Sequence, residues 1–78
     1  MAKQYEYKGH KYWITVEPAI HDQTKETGFI AYVSDQKPDG LLYGATVKDP
    51  NGGIHFFTTK LSALTNANAV KRSELDRR

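Results

Sequence analysis

Histidine is the side chain best suited to acid–base or metal chemistry near neutral pH, and this chain has three, His10, His21 and His55. The densest titratable group is His21-Asp22 with Glu17 shortly before it. A helical zinc site needs two histidines at i, i+4, and closed sites usually add thiolates. No histidine pair has that spacing, and the chain has no cysteine. Ser34, Ser62 and Ser73 lack a partner whose spacing points to a nucleophile and its base. "NGG" at 51–53 could cradle an anion, but a phosphate loop opens a helix, and here "IHFF" follows. The expectation is a chain with no catalytic residue, no metal and no cofactor, hence not an enzyme.

A second chemistry lies in "YKGHKYWITV" at 7–16, where aromatics alternate with bases. Aromatic rings stack bases and lysines hold phosphates on single-stranded nucleic acid. Trp13 with Lys8 and Lys11 is the candidate trio for such a module. Glu6 and Glu17 flank the same stretch, and eleven Lys and Arg against nine Asp and Glu leave a net charge of only +2. That is low for a phosphate binder. Tyr5, Tyr7 and Tyr12 read instead as cross-strand packing residues.

The elements that must position these residues belong to a single domain, since the chain has 78 residues. A chain of this size buries roughly 60% of its unfolded surface, so its stability is marginal without help. Disulfides are ruled out, and their absence fits a reducing compartment. The opening "MAKQYEYK" is charged and carries no apolar run, so no signal peptide is expected. No stretch approaches the ~20 apolar residues of a membrane helix. The expected location is the cytoplasm, or a host cytoplasm if a phage encodes the chain.

Turn chemistry divides the first sixty residues. Gly9-His10 suits a two-residue hairpin loop, and "KPDG" at 37–40 and "DPNG" at 49–52 suit three-residue loops with a left-handed glycine. The strands this implies are 4–8, 11–17, 28–35, 42–48 and 54–58, with a polar loop at 18–27 opened by Pro18. After Thr59, the three-residue steps of Leu61, Leu64, Ala67 and Val70, with Ala63 alongside, predict a helix capped by Thr58 or Thr59. The fold class is α+β: an antiparallel meander of four or five strands, then one C-terminal helix on one face. The domain is expected over 1–72, with 73–78 a charged, frayed tail.

Loop lengths also assign faces, because they fix register. A Gly9-His10 loop sets Tyr7 against Tyr12 and Tyr5 against Ile14, with Trp13 on the opposite side across from Glu6. The later loops pair Val33 with Ala45, Ala31 with Val47, Ala45 with Phe57 and Val47 with His55. One face then collects Phe29, Ala31, Val33, Tyr43, Ala45, Val47 and Phe57. The other collects Ile30, Tyr32, Leu42, Thr46, Ile54 and Phe56. A half-buried sheet should alternate apolar with polar, whereas both faces here are apolar. One helix can hide one of them.

Some of these residues resemble HicB-like antitoxin domains. The pieces are "GFIAYVSD" at 28–35, Thr59 four residues before Ala63, and "ALTNANAV" at 63–70. The likeness spans roughly 11–72, and the motifs are short. The "PDLPG" element of that family is replaced by "QKPDGLLYGATVKDPNGG", the N-terminal hairpin is additional, and no DNA-binding module follows the helix. The resemblance implies a partial ribonuclease-H-like βββα core without catalytic carboxylates, acting by binding a protein such as a toxin.

The expected function is therefore non-catalytic and regulatory, with a protein partner or a second copy docking on the aromatic–aliphatic face. Trp13, Ile30, Tyr32, Leu42, Ile54 and Phe56 are the expected contacts. Trp13, Tyr32 and Phe56 are its energetic anchors, since large aromatics dominate such interfaces. The alternative is a single-stranded nucleic-acid module built on Lys8, Lys11 and Trp13.

Overall fold

Alternation of side chains in the first half of the chain builds a meander, shown by a computed structural model that describes residues 2–38 and 44–77. Strand β1 is Ala2–Tyr7, β2 is His10–Ile20, β3 is Thr27–Ser34 and β4 is Ala45–Thr46. Helix α1 is Lys60–Asp76. The four strands form one antiparallel sheet in the order β1-β2-β3-β4. The architecture is α+β, a four-stranded antiparallel sheet followed by one C-terminal helix.

The first hairpin turns at Lys8-Gly9 rather than Gly9-His10. Both residues take positive φ, 52° and 78°, and Tyr7 pairs with His10. Two positive φ values in a two-residue loop match the twist of the flanking strands. His10 is thus the first residue of β2 and not part of the turn. Tyr5 lies opposite Tyr12, and Trp13 lies opposite Gln4 rather than Glu6. The loop moved by one residue at both ends, so every side chain kept its predicted face.

β2 runs three residues past the expected stop, straight through Pro18 to Ile20. Proline is tolerated in a strand that is locally an edge, and β1 ends opposite Thr15. The connecting loop shrinks to 21–26, closed by a bond from the His21 N–H to the Glu26 carbonyl at 2.9 Å.

The fourth strand comes in two pieces. Tyr32 pairs with Thr46 and Val33 with Ala45, the predicted register. The chain then leaves the sheet, makes a small hairpin with a Lys48–Ile54 bridge, and returns so that Phe57 bridges Phe29. The expected strand at 54–58 is therefore not a continuous fifth strand. At the tip Gly52 takes φ 88°, its N–H donates to the Asp49 carbonyl at 3.0 Å, and the Asp49 N–H donates to the Gly53 carbonyl at 2.8 Å. That is the three-residue loop with a left-handed glycine that "DPNG" implies. Asp39 and Gly40 of the expected 38–40 loop, and Leu42 and Tyr43 at the start of the 42–48 strand, lie outside the described residues.

Helix α1 begins where the Thr59 side chain accepts from the Ser62 N–H at 3.0 Å, a standard cap for an otherwise unpaired donor. It seats on the face of β2 and β3 that presents Tyr12, Ile14 and Ala31. Those three join Val47, Phe57, Ala63 and Ala67 in the core. Ala63, Ala67 and Lys71 are the buried helical residues, a stripe in four-residue steps. The predicted three-residue stripe fails at its ends, for Leu61 and Val70 are exposed. Nine residues apart at 3.6 per turn, these two point about 180° from each other and cannot share a face. The helix also carries on through Ser73–Asp76, the stretch expected as tail.

Polar contacts fix the helix on the tyrosines. The Tyr12 hydroxyl donates to Asn68 Oδ1 at 2.6 Å, and Asn68 Nδ2 donates to the Leu64 carbonyl at 3.1 Å. Tyr5 stacks on Tyr12 with ring centroids 5.7 Å apart. The Tyr7 hydroxyl donates to the Asp76 carboxylate at 3.1 Å. All three tyrosines thus serve the seam between hairpin and helix.

Candidate partner-binding face

Because the helix takes one face, the side chains of opposite parity are left on the other. On β2 these are Lys11, Trp13, Thr15 and Glu17, and on β3 Gly28, Ile30, Tyr32 and Ser34, as the pairs Trp13–Ser34, Thr15–Tyr32 and Glu17–Ile30 require. No described element lies across this face. Phe56 joins it at one end: its Cδ1 is 3.6 Å from where a Cβ on Gly28 would stand, and its ring meets His21 at 4.9 Å. Phe56, Ile30 and Tyr32 therefore follow one another along β3, with Trp13 diagonal to Tyr32 on the neighbouring strand. All four are half-buried.

Of the six residues predicted to bind a partner, four come together in this way. Ile54 sits on the small hairpin outside the sheet, exposed, and shares the parity of Phe56. Leu42 lies outside the described residues.

Thr15, in the middle of this face, is 1% exposed, and its buried hydroxyl has no hydrogen-bond partner among the described residues. Its neighbours explain the burial: Trp13 and Glu17 flank it on its own strand, and Tyr32 and Ala2 oppose it. An unsatisfied buried hydroxyl costs roughly 1–3 kcal/mol. Nothing in the sequence flagged it, because threonine is an ordinary strand residue.

The nucleic-acid trio is divided between the two sides. Lys8 Nζ is 2.6 Å from the Asp76 carboxylate and 5.5 Å from the Tyr7 ring, on the helix side. Asp76 raises the Lys8 ammonium above its ordinary value, chiefly through their hydrogen bond, and Lys8 in turn holds the Asp76 carboxyl below its own. Lys11 shares this face with Trp13 and stands opposite Glu6 in the hairpin register.

The titratable residues group elsewhere than at His21. The His21 Nδ1 accepts from the N–H groups of Gln23 and Thr24 at 3.3 and 3.4 Å, so the ring caps its own loop. His55 stacks on Phe57 with centroids 4.0 Å apart. His10 Nε2 lies 3.1 Å from Asp35, which also takes the Lys71 ammonium at 2.5 Å. The hydrogen bonds from Lys71 and then His10 hold the Asp35 carboxyl below its usual range. This cluster joins β2, the end of β3 and α1; the β2–β3 register, with Ser34 opposite Trp13, brings His10 and Asp35 to the same end of the sheet but does not place Lys71. Among the described residues no three of His, Asp or Glu gather closely enough to hold a metal ion.

No protein-family model, curated protein or solved structure matches the chain.

Proposed function

We propose that this chain is a small non-catalytic binding protein whose open sheet face docks a protein partner. One observation carries the reading: Trp13, Ile30, Tyr32 and Phe56 lie on a face that no described element covers, while the helix seats on the other. Aromatic rings held by a rigid sheet lose little freedom on binding, which is why they anchor interfaces. A toxin or host factor is the partner class implied by the resemblance to HicB-like antitoxin domains. Self-association through the same face would also support a domain this small.

The test starts with light scattering over about a hundredfold concentration range, where RT ln K arithmetic brings even a micromolar dimer into view. Affinity capture with wild type, Trp13→Glu and, as a control on the exposed side of the helix, Val70→Glu follows. A defined partner held by wild type and Val70→Glu but lost by Trp13→Glu supports the reading. Equal capture by all three, with a monomer at every concentration, sinks it.

The runner-up is a single-stranded nucleic-acid module using Lys11 and Trp13, which share a face of β2. Titrating oligothymidylate against Trp13 fluorescence separates the two. That module requires quenching that weakens steeply with salt, and Lys8→Glu leaves it unchanged, since Lys8 is turned to the helix side.

A further inference from the structure

Leu61 is the most exposed large apolar side chain on the helix, 73% accessible. It lies in the first turn and lines two grooves at once. One, of about 440 Å³, runs between helix and sheet and is walled by Ile14, Val16 and Leu64. The other, of about 550 Å³, lies between the helix and the segment carrying His55 and Phe57. The charge around this ridge has one sign: Lys3 and Lys60 line the first groove, and no carboxylate lines either. The helix carries no acid in its first turn. Among the described residues neither lysine has a carboxylate partner, and the Lys3 ammonium lies 5.6 Å from the centre of the Tyr5 ring. Nine acids are present in the chain, so their absence here is a segregation of charge and not a shortage.

Exposed aliphatic surface rimmed by polar groups marks an interaction site, and charge of one sign selects the partner. We infer that the Leu61 ridge docks an acidic segment of a protein partner, its aliphatic side chains in the two grooves and its carboxylates on Lys3 and Lys60. This surface is on the opposite side of the sheet from Trp13 and does not depend on the reading of that face.

The probe is a short fluorescein-labelled peptide built from leucine and glutamate, titrated into the full chain and followed by anisotropy and by backbone amide shifts. The expected result is a shift cluster over Lys60–Asn66 with Ile14 and Val16, and an affinity that falls as salt screens the lysines. Lys60→Glu and Leu61→Ser each weaken it about tenfold, a change of ~1.4 kcal/mol. Both substitutions replace exposed side chains, and an unchanged amide spectrum elsewhere confirms the fold. Three results overturn the inference: no shifts at these residues, shifts centred on Trp13 and Tyr32, or equal binding of the peptide with lysine in place of every glutamate.

Discussion

The Lys71 ammonium lies 2.5 Å from the Asp35 carboxylate, yet the two are unequally wet: the lysine side chain is 5% exposed and the aspartate 51%. Losing one partner is therefore not equivalent to losing the other. Asp35→Asn strands a buried cation with Glu74 at 3.5 Å as its remaining partner. The expected cost is about 1–2 kcal/mol, less than the ~3–5 of a fully buried pair because Asp35 is half in water. Lys71→Met leaves a carboxylate that water can solvate and fills the site with apolar volume, so it falls within about 1 kcal/mol of wild type. Urea unfolding followed by Trp13 fluorescence measures both, and an inverted order refutes the pairing.

The same ion pair sets an acid limit. The folded Asp35 carboxyl is held low by Lys71 and then His10, and Asp76 by Lys8. Between the folded and unfolded values the unfolded chain binds more protons, so stability rises with pH in that window. The contribution is complete above the ordinary carboxylate range near 4 and is lost as pH falls through it toward the lower folded values. Asp35→Asn should flatten the acid limb of stability against pH. A mutant with an unchanged acid limb contradicts this.

Thr15→Val removes an unpaired buried hydroxyl and keeps its shape. It should stabilise the fold by about 1 kcal/mol, since the orphaned group's desolvation no longer opposes folding. Thermal unfolding reads this as a higher Tm. A lower Tm would show that the hydroxyl is satisfied in solution.

Gly44 has φ 100°, and a Cβ there would collide with the Val33 carbonyl. Gly44→Ala meets both a left-handed backbone penalty and backbone overlap where β4 joins β3, for a loss of roughly 3 kcal/mol or more. Gly52 also has positive φ, but nothing stands within 4 Å of its missing Cβ. Gly52→Ala pays the backbone penalty alone and should cost less, a ranking that chemical denaturation tests directly.

Helix substitutions should sort by the observed stripe. Ala67 is fully buried against the sheet, so Ala67→Leu overpacks it and costs about 1–3 kcal/mol. Leu61 is largely exposed, so Leu61→Glu should change stability by less than ~0.5 kcal/mol. Equal losses at the two positions would mean the helix is rotated from the geometry described.

Much of this arrangement was legible in the residues. The pairing of Val33 with Ala45 followed from loop length, and the separation of Tyr5, Tyr7 and Tyr12 from Trp13 followed from alternation. That separation survived a misplaced turn because moving a two-residue loop by one position keeps parity. The turn was misplaced because Gly9 pointed to itself as the residue needing positive φ, while Lys8, which rarely adopts it, does so too. Pro18 looked like the end of a strand because it lacks an N–H, but that loss matters only where a second neighbour exists, and β1 stops opposite Thr15. The Asp35–Lys71 pair could not be read at all: thirty-odd residues of sequence and a helix rotation separate its members. The open face was half legible, in that Ile30, Tyr32 and Phe56 sorted together while Thr15 beside them passed as an ordinary strand residue.

The split fourth strand has a consequence for solubility. On that side of the sheet the described backbone offers only Ala45–Val47 and Phe57 in line, and the 48–56 hairpin stands between them. Among the described residues a docking strand finds no continuous ladder there to copy. β1, at the other edge, is six residues long with neither proline nor bulge, the kind of edge that recruits another strand. Among the described residues β1 is thus the one edge suited to strand addition, and addition through β1 alone joins two chains and ends at a pair.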